Sequence, residues 1–97
     1  MSETVEFLTL EQICTVCGLE REWLVVRVRE GLITAEGVSE SGGDHTAWRF
    51  ALAAVARARR MRDLERTYEA APELAALVAD MLEELDELRA RVRRGGS

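Results

Sequence analysis

No lysine occurs in this 97-residue sequence: all 13 basic side chains are arginine, set against 18 Asp plus Glu, for a net charge of −5. That balance argues against a protein whose main task is to grip phosphates. One histidine and two cysteines leave little with which to build a catalytic or metal centre. No apolar run approaches the ~18–20 residues that a membrane span needs, and the start lacks the basic-then-apolar pattern of a signal peptide. A cytoplasmic protein is therefore expected. What is present is globular in character, with 47% apolar and 32% charged residues. A chain this short buries roughly 60–65% of the surface it would expose unfolded, so it holds one modest core.

Charge is unevenly spread. Residues 1–48 carry nine acidic and three basic groups, residues 49–66 two acidic and six basic, and residues 67–97 seven acidic and four basic. The net charges are −6, +4 and −3.

Thr9 followed by Gln12 is a capping box that starts a first helix, with Leu8 and Ile13 at the positions of a hydrophobic staple. Gly18 supplies a left-handed stop. A second helix is predicted over about Glu20–Glu30, with Trp23, Leu24 and Val28 on its inner face and Gly31 ending it. Two short helices separated by Gly18-Leu19 read as a helix-turn-helix. Helical periodicity then vanishes between Thr34 and Phe50. Ser41-Gly42-Gly43-Asp44 is turn chemistry, and Ala35–Ser39 is expected to pair with Thr46–Phe50 as a hairpin wing. A third helix is predicted over about Ala51–Thr67, and a fourth begins at or just before Pro72, a residue tolerated in a first turn.

The fourth helix carries the cleanest periodicity. Leu74, Val78, Met81, Leu85, Leu88 and Val92 are spaced 4, 3, 4, 3 and 4, an unbroken heptad seam. Burying six such residues at ~1.5–3 kcal/mol each offers on the order of 10 kcal/mol, so a homodimer through this seam is expected. Glu84 can meet Arg89 of a parallel mate or Arg91 of an antiparallel one, so charge leaves the direction open. The expected organisation is a winged helix-turn-helix domain over 1–70, a coiled-coil dimerisation helix over 71–94 and a flexible tail over 95–97.

The segments Phe7–Ile13 (FLTLEQI), Gly18–Leu24 (GLEREWL) and Glu30–Ile33 (EGLI), followed by Trp48-Arg49-Phe50, resemble the winged helix-turn-helix of MerR-type regulators. Within that superfamily the length, the opening and the Arg-rich end Met81–Arg94 are most similar to the CbpM chaperone-modulator family. The resemblance implies a mostly α fold, a MerR-like winged helix-turn-helix with a small β-hairpin wing and a C-terminal coiled-coil helix. It implies an inhibitor that binds the J-domain of a DnaJ-like cochaperone of the CbpA type and blocks its work with the Hsp70 chaperone DnaK. J-domains generally present a basic second helix, to which an acidic protein is steered.

DNA-binding MerR proteins usually carry an Arg-Tyr pair on the second helix that donates hydrogen bonds to phosphates. The aligned positions here are Val25 and Val26, which can do neither. Glu20, Glu22 and Glu30 repel a phosphate backbone, while Arg21, Arg27 and Arg29 keep a DNA-binding transcriptional regulator as the alternative. The partner-contacting residues expected are Glu22, Val25, Val26 and Arg29 on the second helix, Trp48 as a partly exposed anchor on the wing, and Glu83 and Glu87 on the last helix. Trp23 is read as a core anchor. Cys14 and Cys17 are read as reduced core packing, since structural zinc wants four ligands and only His45 is at hand. A zinc or thiol sensor is thus a distant third reading, and His45 is an ordinary loop residue. Arg57, Arg59, Arg60 and Arg62 are read as a helix flank that pairs with the acidic segments on either side. No nucleophile, paired-carboxylate or phosphate-cradling motif appears, so neither catalysis nor a cofactor is expected.

Overall fold

The computed structural model describes residues 6–39 and 45–95. A short strand β1 (Phe7–Thr9) leads directly into α1 (Leu10–Cys17), and α2 (Arg21–Arg29) follows after a three-residue turn. The Thr9 cap is reciprocal. Thr9 Oγ1 accepts from the Gln12 backbone N–H at 3.1 Å, and Gln12 Oε1 accepts from the Thr9 N–H at 2.9 Å. Gly18 ends α1 at φ 65, a left-handed value that its missing Cβ makes accessible. The two helices therefore stand as the helix-turn-helix that the sequence predicts.

Beyond α2 the chain passes a 3₁₀ turn (His45–Ala47) into β2 (Arg49–Ala51), then α3 (Leu52–Tyr68) and α4 (Pro72–Gly95). The sheet corrects the expected hairpin. β2 pairs antiparallel with β1, setting Phe7 opposite Ala51, Leu8 opposite Phe50 and Thr9 opposite Arg49. Pairing of Ala35–Ser39 with Thr46–Phe50 is reduced, among the described residues, to one bridge between Glu36 and Arg49. The Ser41–Asp44 turn lies outside the described residues. The reason is burial: the Leu8–Phe50 register brings a fully buried Phe beside an apolar partner, which a solvated wing strand does not offer. Gly37 holds the remaining wing close. It sits at φ 82, and a Cβ there would strike the Ala47 carbonyl.

One core collects Leu10 and Ile13 from α1, Leu24 and Val28 from α2, Ile33, Trp48 and Phe50 from the wing, and Val55, Ala58 and Met61 from α3. α4 contributes Ala75, Ala76 and Ala79, all buried. The small side chains let α4 lie close along α3. The architecture is the mostly helical winged helix-turn-helix expected, with a small antiparallel sheet and a long last helix. That helix runs to Gly95, one residue into the segment read as a tail. No helix among the described residues is long and apolar enough to cross a membrane.

Candidate partner-binding face on the second helix

The helical period divides α2 cleanly. Leu24 and Val28 are buried, with Trp23 and Arg27 half-buried beside them. Glu22, Val26 and Arg29 are exposed, and half-buried Val25 completes a stripe with spacing i, i+3, i+4 and i+7. Four of the predicted contact residues thus share one face. Beside it lies a hollow of about 590 Å³, walled by Glu20, Arg21, Glu22, Val25 and His45.

Trp48 is a correction. It is only 1% exposed, a member of the core rather than an anchor presented on a wing. β2 packs against β1, so Trp48 and Phe50 at alternate positions turn inward while Arg49 between them faces out. Trp48 nevertheless underlies the face. The Arg29 guanidinium lies 5.5 Å from its ring centroid, and the His45 ring 4.6 Å from it. Arg29 Nη2 also approaches His45 Nε2 at 3.4 Å. His45, in its 3₁₀ turn, thus lines the hollow beside the α2 face. Nothing in the sequence couples it to Arg29, 16 positions earlier.

The other α2 arginines point elsewhere. Arg27 turns toward α3, where its Nε and Nη2 donate to the two carboxylate oxygens of Glu65 at 3.2 and 3.3 Å. Both side chains are nearly closed to solvent, at 12% and 9% exposure. Trp23 Nε1 donates to the same carboxylate at 2.9 Å, and the indole is flanked by Arg27 and Arg62 at 5.2 and 5.7 Å. The Trp23 anchor is therefore polar as well as apolar. Arg21 pairs with Glu11 at 2.9 Å.

The two α4 glutamates are drawn into contacts within the chain. Glu83 and Asp80 both accept from Arg57 Nη1, at 3.0 and 2.7 Å, while Arg57 Nε donates to the Leu32 carbonyl at 2.7 Å. Glu87 lies 4.0 Å from Arg91 on its own helix. Arg60 holds Asp86 at 2.7 Å and Arg62 holds Glu20 at 3.1 Å. Arg57, Arg60 and Arg62 are thus paired as the sequence predicts, whereas Arg59, read as part of the same flank, makes no ion pair among the described residues. Hydrogen bonding holds two carboxyls below the ordinary carboxylate range, Glu20 by its own backbone N–H and then Arg62, and Asp86 by Arg60.

Cys14 and Cys17 are free, half-buried thiols packed against the core. Burial pushes both above the usual thiol value, which disfavours the thiolate that redox or metal chemistry needs. No group of three or more His, Cys, Asp or Glu gathers as a metal site among the described residues.

Five of the predicted seam residues, Leu74, Met81, Leu85, Leu88 and Val92, are between 40% (Leu85) and 68% (Val92) exposed, and Val78 is half-buried. Leu77, which the heptad reading omits, is exposed beside them.

No curated protein and no solved structure matches this chain. A family model does, over residues 8–94, from β1 to the last turn of α4. By that match the chain belongs to the family described as MerR HTH family regulatory protein.

Proposed function

We propose that this chain is a non-catalytic, cytoplasmic regulator that acts on another protein, in the manner of the CbpM chaperone modulators. Its α2 face docks on the J-domain of a DnaJ-like cochaperone of the CbpA type and occludes the Hsp70 chaperone DnaK. The observation that carries this reading is the composition of the outward stripe, Glu22, Val25, Val26 and Arg29. Two valines stand where a DNA reader needs donors, and Arg27 is spent on Glu65 inside the body. An exposed Val26 beside a half-buried Val25, edged by charges of both signs, suits a protein surface, apolar at its centre and polar at its rim. Occlusion needs affinity and shape, and no chemistry.

The test is binding of the purified J-domain by calorimetry. Val25→Asp with Val26→Asp is expected to abolish it. Val25 is half-buried, so Glu22→Arg with Arg29→Glu, both at exposed positions, is the companion that spares the core. Full-strength binding by both double variants overturns the reading.

A DNA-binding transcriptional regulator is the second reading, favoured by the family description itself. A dimer that reads a palindrome with α2 in the major groove loses affinity steeply with salt, the slope of log affinity against log salt steepening by roughly 0.9 for each phosphate neutralised. With Arg21, Arg27, Arg57, Arg60 and Arg62 already paired to carboxylates, a shallow slope on mixed duplex DNA is expected.

A further inference from the structure

The chain is acidic as a whole, yet one hollow on its surface is walled by guanidinium groups. Arg59, Arg62 and Arg66 stand at i, i+3 and i+7, which sets them on one face of α3, and Arg60 stands beside them. Across from them lie Cys17 at the end of α1 and Leu19 in the turn after it, and Asp63 completes the lining. The space enclosed is about 280 Å³, just under the roughly 300–1,000 Å³ of pockets that take drug-sized ligands. It suits a small, compact guest.

Four guanidinium groups face one carboxylate inside this hollow. The carboxylates that reach in from its edges do not close the balance. Arg60 is matched by Asp86 at 2.7 Å. Arg62 and Arg66 share the single carboxylate of Glu20, at 3.1 and 3.7 Å. Glu65 lies 3.9 Å from Arg62, but it is already the acceptor for Trp23 and Arg27. Glu20, Asp63 and Asp86 thus offset three of the four positive charges, and one remains. Donors are left over as well. The Arg59 guanidinium makes no hydrogen bond or ion pair among the described residues, and Arg62 Nε is buried with no acceptor among them. The Arg59 charge is felt at Cys17, where it opposes the rise that burial imposes on the thiol. A tetrahedral oxyanion answers both surpluses. It brings negative charge, and its oxygens accept from guanidinium forks two N–H groups at a time.

We infer that the hollow walled by Arg59, Arg60, Arg62 and Arg66 binds a phosphate-type oxyanion, either free phosphate or the phosphate group of a small monoester. The site lies on α3 and the turn before α2, so the inference is independent of what the α2 face docks. Titration of the isotope-labelled full chain with inorganic phosphate at constant ionic strength, followed by amide NMR, is expected to give saturable shifts at Cys17, Leu19 and the Arg59–Arg66 stretch. Arg59→Gln should weaken that binding by roughly tenfold, because it removes the one uncommitted fork. Arg59→Lys keeps the charge without the planar fork, and should recover only part of the loss. Arg59 is exposed and holds no partner, so both variants should fold as the wild type does. Arg94→Gln, an equal change of charge near the C-terminal end of α4, should leave the affinity unchanged. Ethyl phosphate separates the two sources: binding at least as tight as that of phosphate assigns the hollow to monoesters, and weaker binding assigns it to the free ion. Absence of saturable shifts, equal losses in Arg59→Gln and Arg94→Gln, or shifts that arise only with duplex DNA overturns the inference.

Discussion

Trp48 and Val26 sit on either side of the distinction between residues that build the α2 face and residues that present it. Trp48 supports Arg29 and His45 from below while filling the core. Trp48→Ala is therefore expected to cost about 3–5 kcal/mol, because the surrounding side chains cannot collapse fully into the space of an indole. Against a total stability of roughly 5–15 kcal/mol, that change threatens the fold itself. Its effect on partner binding would then say nothing about contact. Glu22→Arg, at an exposed position, should leave the thermal midpoint nearly unchanged, within about 0.5 kcal/mol of stability, so any loss of binding reports the surface. Differential scanning fluorimetry of the two variants side by side makes the comparison. The two thiols are half-buried against the core. Since burial raises both, Cys14 and Cys17 should alkylate slowly near neutral pH in the native chain and quickly once urea unfolds it.

Among the elements, what the sequence announced was whatever depends on neighbours within a turn or two. The Thr9–Gln12 cap, the Gly18 stop and the start of α4 at Pro72 are local signals, and the structure has each at that position. Thr9→Ala removes one half of the cap and should cost about 1 kcal/mol, read as a lower denaturation midpoint at an unchanged m-value. The sheet was illegible for the opposite reason. β2 draws its partner from about 40 residues upstream, and no turn residue marks that pairing. A clue was present in the alternation of Trp48 and Phe50 around Arg49, which places both aromatics on one side of a strand. On that side both aromatics are buried, Trp48 included. The Trp23–Glu65–Arg27 cluster spans 38 to 42 positions and carries no sequence signal at all. Of the α2 face, the stripe of four was legible from helical period, and the His45 wall was not. The alanine face of α4 reads in the sequence only as helix-forming residues, yet it fixes how closely the helix lies on α3. Ala79→Leu, at a position with no exposed surface, should cost about 1–3 kcal/mol by overpacking. The far bulkier Leu74, on the opposite side of the same turns, should tolerate truncation within the isolated chain.

At the scale of the whole molecule, the segregated charges become a fastening. A basic α3 lies between acidic flanks and ties to them through Arg57, Arg60 and Arg62. The pairs are exposed enough that each contributes modestly, yet they join three regions that the sequence separates by 20 residues or more. Their dependence on pH has a definite sign. Glu20 and Asp86 titrate lower in the folded chain than in the unfolded one, so the unfolded state binds protons first as the solution is acidified. The stability they contribute is fully present above the ordinary carboxylate values near ~4, and it drains away as pH falls through the depressed folded values. Thermal melts taken from about pH 7 to about pH 3 should accordingly show a falling midpoint over the lower part of that range. Arg60→Gln removes the partner that lowers Asp86, and should flatten the acid limb while lowering the neutral plateau slightly. An acid limb of the same depth in Arg60→Gln would place the acid-sensitive carboxylates elsewhere in the chain.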